Sequence, residues 1–159
     1  MRTYLLCLTG LAFLLLAGCG SQPPAPAPTA AAKAAAPKPA DETRRLAKTN
    51  LVDSQVVEKE LLGKPFMPGG TLAHYKKGKV EYDVFVSQLA SPTAAAVLLP
   101  DWRSALKDAK FEAAFGGYFG DDAGKPVFVF AKGAWIAGVA GLPEKAADLE
   151  ARTLAAALN

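Results

Sequence analysis

The chain has 159 residues, 18 of them Lys or Arg and 15 Asp or Glu. The surplus of +3 is uneven, because Arg2, Lys33 and Lys38 precede every acidic residue and the charges balance from Asp41 onward. A protein that holds nucleic acid needs excess Lys and Arg to meet phosphates, so the sequence argues against that partner. The two cysteines, Cys7 and Cys19, both lie near the start. The remaining chain therefore has no disulfide, no Cys-ligated zinc and no thiol nucleophile.

Arg2 is followed by an apolar run, Leu5 to Ala17, of the length of a signal-peptide core and short for a membrane span. Leu16-Ala17-Gly18-Cys19 resembles the lipobox of bacterial lipoprotein signal peptides. That resemblance implies removal of residues 1–18 and acylation of Cys19, palmitate being the usual chain, with a lipid anchor in the membrane. Residue 20 is glycine and not the aspartate of an inner-membrane retention signal, so the resemblance favours the outer membrane, facing the periplasm.

Residues 19–40 form the next segment. From residue 20 it holds six prolines and nine alanines, a composition with little to bury, in which proline excludes regular helix. It reads as a disordered tether, reaching roughly 65 Å if fully extended at ~3.1 Å per residue. Residues 41–159 are enough for a single domain that buries roughly 65% of its unfolded surface.

Within that domain, Asp41 to Lys64 is polar, with a turn at 49–53 and a short helix carrying Val56, Val57, Leu61 and Leu62. Thr71 to Leu89 reads as a hairpin: Val80, Tyr82, Val84 and Val86 alternate with polar residues. A two-residue turn at Gly78-Lys79 sets Tyr75 opposite Tyr82, Ala73 opposite Val84, Lys76 opposite Glu81 and His74 opposite Asp83. Ser91-Pro92 opens a helix whose stripe includes Ala95, Leu98, Trp102 and Leu106, with a kink or restart at Pro100.

Lys110 to Phe119 reads as one strand. A hairpin follows, 126–131 and 134–140, turning at Lys132-Gly133, with Ala131 opposite Ala134 and Phe130 opposite Trp135. Both of its faces are apolar, which places it centrally in a sheet. Pro143 opens a last helix, expected to lie on the small-residue face of that hairpin. The expectation is an α+β fold: one domain, an antiparallel sheet of about five strands in the order ββ-α-βββ-α, helices on one face.

Three short motifs, Ser91-Pro92-Thr93-Ala94-Ala95, Gly116-Gly117-Tyr118-Phe119-Gly120 and the Lys132-Gly133 turn, resemble an uncharacterised family of exported bacterial proteins over residues 65–158. The element order is also similar to that of PsbP-like small lipoproteins. Neither resemblance transfers a catalytic residue.

The chemistry is sparse. His74 is the lone histidine and reads as a surface partner of a carboxylate. Asp121-Asp122 reads as a turn; calcium loops need more oxygen ligands at regular spacing. Gly116 to Gly120 lacks the lysine of a phosphate loop. Glu81 and Asp83, two apart on one strand face, are the one pair suited to acid–base hydrolysis. Lys76, Lys77 and Lys79 make a basic turn suited to weak contact with anionic lipid or peptidoglycan.

Phe128, Phe130 and Trp135, with Tyr118 and Phe115 from a neighbouring strand, form a candidate ligand or partner face unless segment 41–70 covers it with Phe66 and Met67. The reading is thus a membrane-anchored, non-catalytic interaction domain of the cell envelope, with no metal and no cofactor. Its partners are the membrane and an envelope protein. A carrier or sensor of an apolar small molecule stands second, and a carboxylate-dependent hydrolase third.

Overall fold

The computed structural model describes residues 38–158. Its centre is one seven-stranded antiparallel sheet: β1 (Leu51–Lys59), β2 (Pro68–Lys77), β3 (Val80–Gln88), β4 (Lys107–Glu112), β5 (Gly117–Asp122), β6 (Lys125–Lys132) and β7 (Trp135–Ala140). The spatial order is β1-β2-β3-β7-β6-β5-β4. Helices α1 (Pro92–Ala96) and α2 (Leu99–Ala105) follow β3, and α3 (Glu144–Ala157) follows β7. The expected α+β arrangement, about five strands in the order ββ-α-βββ-α with helices on one face, is therefore corrected: the fold is mostly strand, with seven strands in the order βββ-αα-ββββ-α and helices on both faces.

Three local features account for the correction. Residues 51–59 form a strand, although it is an edge strand exposed on both sides and so shows no period-two pattern. The helix expected from Val56, Val57, Leu61 and Leu62 does not form: Val56 and Val57 lie in β1, and left-handed backbone at Glu60 (φ 56°) and Leu62 (φ 57°) turns the chain sharply into β2. The stretch from Lys107 to Asp122 folds back at Gly116 (φ 62°), giving two strands where one was expected.

The β2–β3 hairpin has the register its charges specify: Tyr75 opposite Tyr82, Ala73 opposite Val84, His74 opposite Asp83, Lys76 opposite Glu81. In the β6–β7 hairpin the turn falls at Gly133-Ala134, and Ala131 faces Ile136. That is two residues from the expected register. Gly133 takes φ 54° at the first turn position, a conformation that favours glycine over lysine. A two-residue shift preserves which face each side chain takes.

The two faces carry separate cores. On one, Ala147, Ala151 and Leu154 of α3, with Leu158 just beyond its end, pack on Phe128, Phe130, Trp135 and Val139. On the other, Trp102 and Leu106 pack with Leu61, Met67, Phe85, Val127, Val129 and Ile136. The last helix thus lies on the aromatic face, not on the small-residue face. The latter is small for another reason: a Cβ on Gly138 would stand 2.5 Å from the Phe85 ring and 2.1 Å from the Phe128 carbonyl oxygen. Glycine there admits Phe85, which stacks on Trp102 at 5.8 Å.

Ser91 caps α1 by accepting a hydrogen bond from the Ala94 amide at 3.1 Å. Pro100 sits in the first turn of α2, where its missing N–H costs nothing, so the two short helices are a restart at that proline.

Candidate functional site

Each residue singled out from sequence has a definite place. Phe128, Phe130 and Trp135 are buried, at 0%, 1% and 4% exposure. Phe115 joins them, 5.1 Å from both phenylalanine rings. The cover is α3 together with Leu46 and Arg45. Arg45 lies 4.6 Å from the centroid of Trp135 and donates to the Ala157 carbonyl at 3.0 Å. Phe66 and Met67 do not plug this face. They lie on the opposite one, where Phe66 meets the edge of Trp102 at 5.5 Å and the Met67 sulfur accepts from the Trp102 indole N–H. Tyr118 also belongs to that opposite core and packs against Phe111 at 5.6 Å. The four candidate residues therefore do not share a surface. Cys19 lies outside the described residues.

The polar candidates form a surface network across β2, β3 and β6. His74 Nδ1 is 2.9 Å from Asp83 Oδ1, and Lys125 Nζ pairs with Asp83 Oδ2. Glu81 is held by Lys76 at 2.6 Å and lies 3.9 Å from His74 Nε2. Partial burial works to raise the Asp83 carboxyl, but hydrogen bonds from Lys125 and His74 outweigh it and hold the group below its ordinary range. The hydrogen bond and charge of Lys76 lower Glu81 likewise. A carboxyl acting as general acid near neutral pH needs the opposite shift. The pair is built to stay ionised.

Asp121 accepts from the Gly124 amide at 2.7 Å within the β5–β6 turn, and Asp122 pairs with Lys64 at 2.6 Å. Both carboxylates thus have structural partners. Among the described residues, no three His, Cys, Asp or Glu side chains come together as a metal-binding group.

One grouping was not singled out from sequence. Tyr75 and Tyr82 stack at 5.1 Å with rings 13° apart, beneath α3. A cavity of about 200 Å³ opens on the Tyr75 side, between Leu46 and Leu154. A second, of about 240 Å³, opens on the Tyr82 side among Val80, Leu142 and Leu149. Glu150 borders both. Burial, reinforced by the negative charge of Glu150, pushes the Tyr82 hydroxyl up to about 12. The signal was partly legible, since the hairpin register pairs the two tyrosines; the position of Glu150 required knowing which face α3 covers.

Exposed apolar side chains occur beside that second cavity, at Val80 and Leu149, and also at the edges of the sheet. Val52 and Val56 are 59% and 42% exposed on edge strand β1, and Phe111 is 57% exposed on the other edge strand, β4. Among the described residues no helix is long and apolar enough to cross a membrane. Compared with known proteins, the chain matches no family model, no curated protein and no solved structure.

Proposed function

We propose that this chain is a lipid-anchored, non-catalytic interaction module of the bacterial cell envelope. In this reading the signal peptide is removed before Cys19, Cys19 is acylated, and the Pro/Ala segment tethers the domain to the outer membrane on its periplasmic side. The observation that carries the contact reading is the closure of the sheet's aromatic face: Phe128, Phe130 and Trp135 are core, at no more than 4% exposure. Among the described residues, exposed apolar side chains include Val52, Val56 and Phe111 at the sheet edges, where strands also offer backbone groups to a partner.

Two measurements test this. Mass spectrometry of the mature protein is expected to find a diacylated or triacylated Cys19 as the first residue, and Cys19→Ser to release the protein from membranes. Crosslinking of the anchored protein in intact cells is expected to capture protein partners. An unmodified amino terminus would end the anchor reading; recovery of a bound lipid and no protein would favour the carrier.

The carrier reading moves with the geometry. It rests on the two cavities beside Tyr75 and Tyr82, each smaller than the ~300–1,000 Å³ typical of small-molecule sites, and no longer on the buried aromatic stripe. The hydrolase reading has the least support, because Lys76 beside Glu81 and Lys125 and His74 beside Asp83 favour the ionised form of both carboxyls, the opposite of what a general acid needs.

A further inference from the structure

The two edges of the sheet are guarded to different degrees. β4 has only six residues, its pairing is irregular between Lys107 and Lys110, and Asp108 takes φ 53°. Lys110 is also drawn to Glu144 of α3. Short length, a bulge and charge are the usual devices that keep an edge strand from recruiting another chain. β1 has nine residues, and its single irregularity lies between Leu51 and Asp53. The seven residues from Asp53 to Lys59 pair regularly with β2 on one side. On the other side, no strand adjoins them among the described residues.

Those seven residues read Asp-Ser-Gln-Val-Val-Glu-Lys, and they are self-complementary in one antiparallel register. With a two-fold axis at Val56, Asp53 stands opposite Lys59 of the second copy, and Lys59 opposite its Asp53. Gln55 stands opposite Val57, Ser54 opposite Glu58, and the 42%-exposed Val56 opposite its own mate. The charges that would ordinarily repel an incoming strand become two symmetric opposite-charge pairs. Lys59 is free to make them: its side chain is 83% exposed, and its contact with Glu60 is a loose 3.9 Å. Among the described residues, segment 38–43 forms no strand beside β1. It lies over one face of the strand, through Lys38 to Glu58 at 3.3 Å and Thr43 to Ser54 at 2.9 Å.

We propose that β1 is a homodimerisation edge, on which a second copy of this chain pairs its own β1 antiparallel about Val56, joining the two sheets into one of fourteen strands. The two-fold axis closes the assembly, so pairing stops at two copies instead of growing into a filament. The inference rests on the contact reading above and names its partner. Anchoring would help it, because two copies on one membrane meet at high effective concentration.

The test is sedimentation of the full-length chain in detergent, comparing the parent with Asp53→Lys, Lys59→Asp and the double reversal. The parent is expected to associate reversibly to a dimer. Each single reversal sets like charges opposite one another at both ends of the register and is expected to weaken association about tenfold; the double reversal is expected to restore it. Circular dichroism of each variant checks that the fold is intact, and the rescue distinguishes a lost contact from a damaged strand. A parent that stays monomeric at every concentration overturns the proposal, as does a dimer indifferent to the single reversals or not rescued by the double one. A monomer that still crosslinks to a different envelope protein in cells overturns self-pairing and leaves the contact reading standing.

Discussion

All six residues of β7 are buried, whereas seven of the nine residues of β1 are exposed. The two strands belong to one sheet and differ in position and, with it, in sequence. β7 lies between β3 and β6, with α3 over one face and Trp102 over the other. Its sequence, Trp-Ile-Ala-Gly-Val-Ala, is apolar throughout because nothing polar there would find a partner. Among the described residues β1 has a neighbour strand on one side only, and its mixed sequence suits exposure to solvent. Stability is concentrated at the centre of the sheet, and freedom to make contacts at its edge. Substitutions at the two places should therefore do different things.

The largest effect is expected at the centre. Trp102 is fully buried against Phe66, Phe85 and Met67, so Trp102→Ala should cost about 3–5 kcal/mol, read as a lower denaturant midpoint. Gly138→Ala comes next, at about 1–3 kcal/mol. Its Cβ has nowhere to go but into the Phe128 carbonyl and the Phe85 ring. A Gly138→Ala protein as stable as the parent would break the account of the small-residue face.

Intermediate effects belong to the ionisable groups. Asp83 is held below the ordinary carboxyl value of 3.8 in the fold. Its contribution is therefore complete above that value and disappears as the pH falls through the depressed folded value. Solvent screening keeps this to about 1 kcal/mol. Asp83→Asn should remove it and flatten the acid limb of a stability–pH curve. Tyr82 behaves in the opposite sense. Its hydroxyl is pushed by burial from 10.0 to about 12, so the fold favours the neutral phenol. Stability should fall as the pH rises from about 10 toward 12, and Tyr82→Phe should lose that dependence.

The smallest effect on stability is expected at the edge. Val56→Lys changes a 42%-exposed side chain and should shift unfolding by no more than about 0.5 kcal/mol. It should nevertheless abolish self-association. A large loss of stability there would mean that β1 is part of the core in the way β7 is.

How much of this was legible in the sequence follows the same division. Centrally placed elements announced themselves. The β2–β3 register was fixed by Lys76–Glu81 and His74–Asp83, the helix restart by Pro100, and the two apolar faces of β6 and β7 by unbroken apolar runs. The edge was opaque. β1 is exposed on both faces, so neither alternation nor a continuous apolar run marks it, and the apolar residues spaced along Val57 to Leu62 imitate a helix. β4 and β5 merged into one strand because the Glu112–Gly117 reversal offers only one clear signal, the glycine pair.

The candidate face was half legible. Its aromatic residues were rightly grouped on one side of β6 and β7. Which helix covers them depended on Gly138, whose role as a seat for Phe85 cannot be seen without the pairing of β3 with β7. Tyr118 went astray with the missing strand, since its face depends on the register of β5 against β6.

The central claim is that this domain acts through the edge of its sheet. If β1 pairs with its counterpart about Val56, the two Val56 Cα atoms lie about 4.5–5.5 Å apart, within reach of a disulfide. If Cys19 is acylated as proposed, the mature chain has no free thiol, and a single introduced cysteine reports on its own position. Mild oxidation of intact cells carrying Val56→Cys is predicted to give a covalent homodimer, while the 59%-exposed control Val97→Cys gives none. No dimer from Val56→Cys, or equal dimer from both, would contradict it.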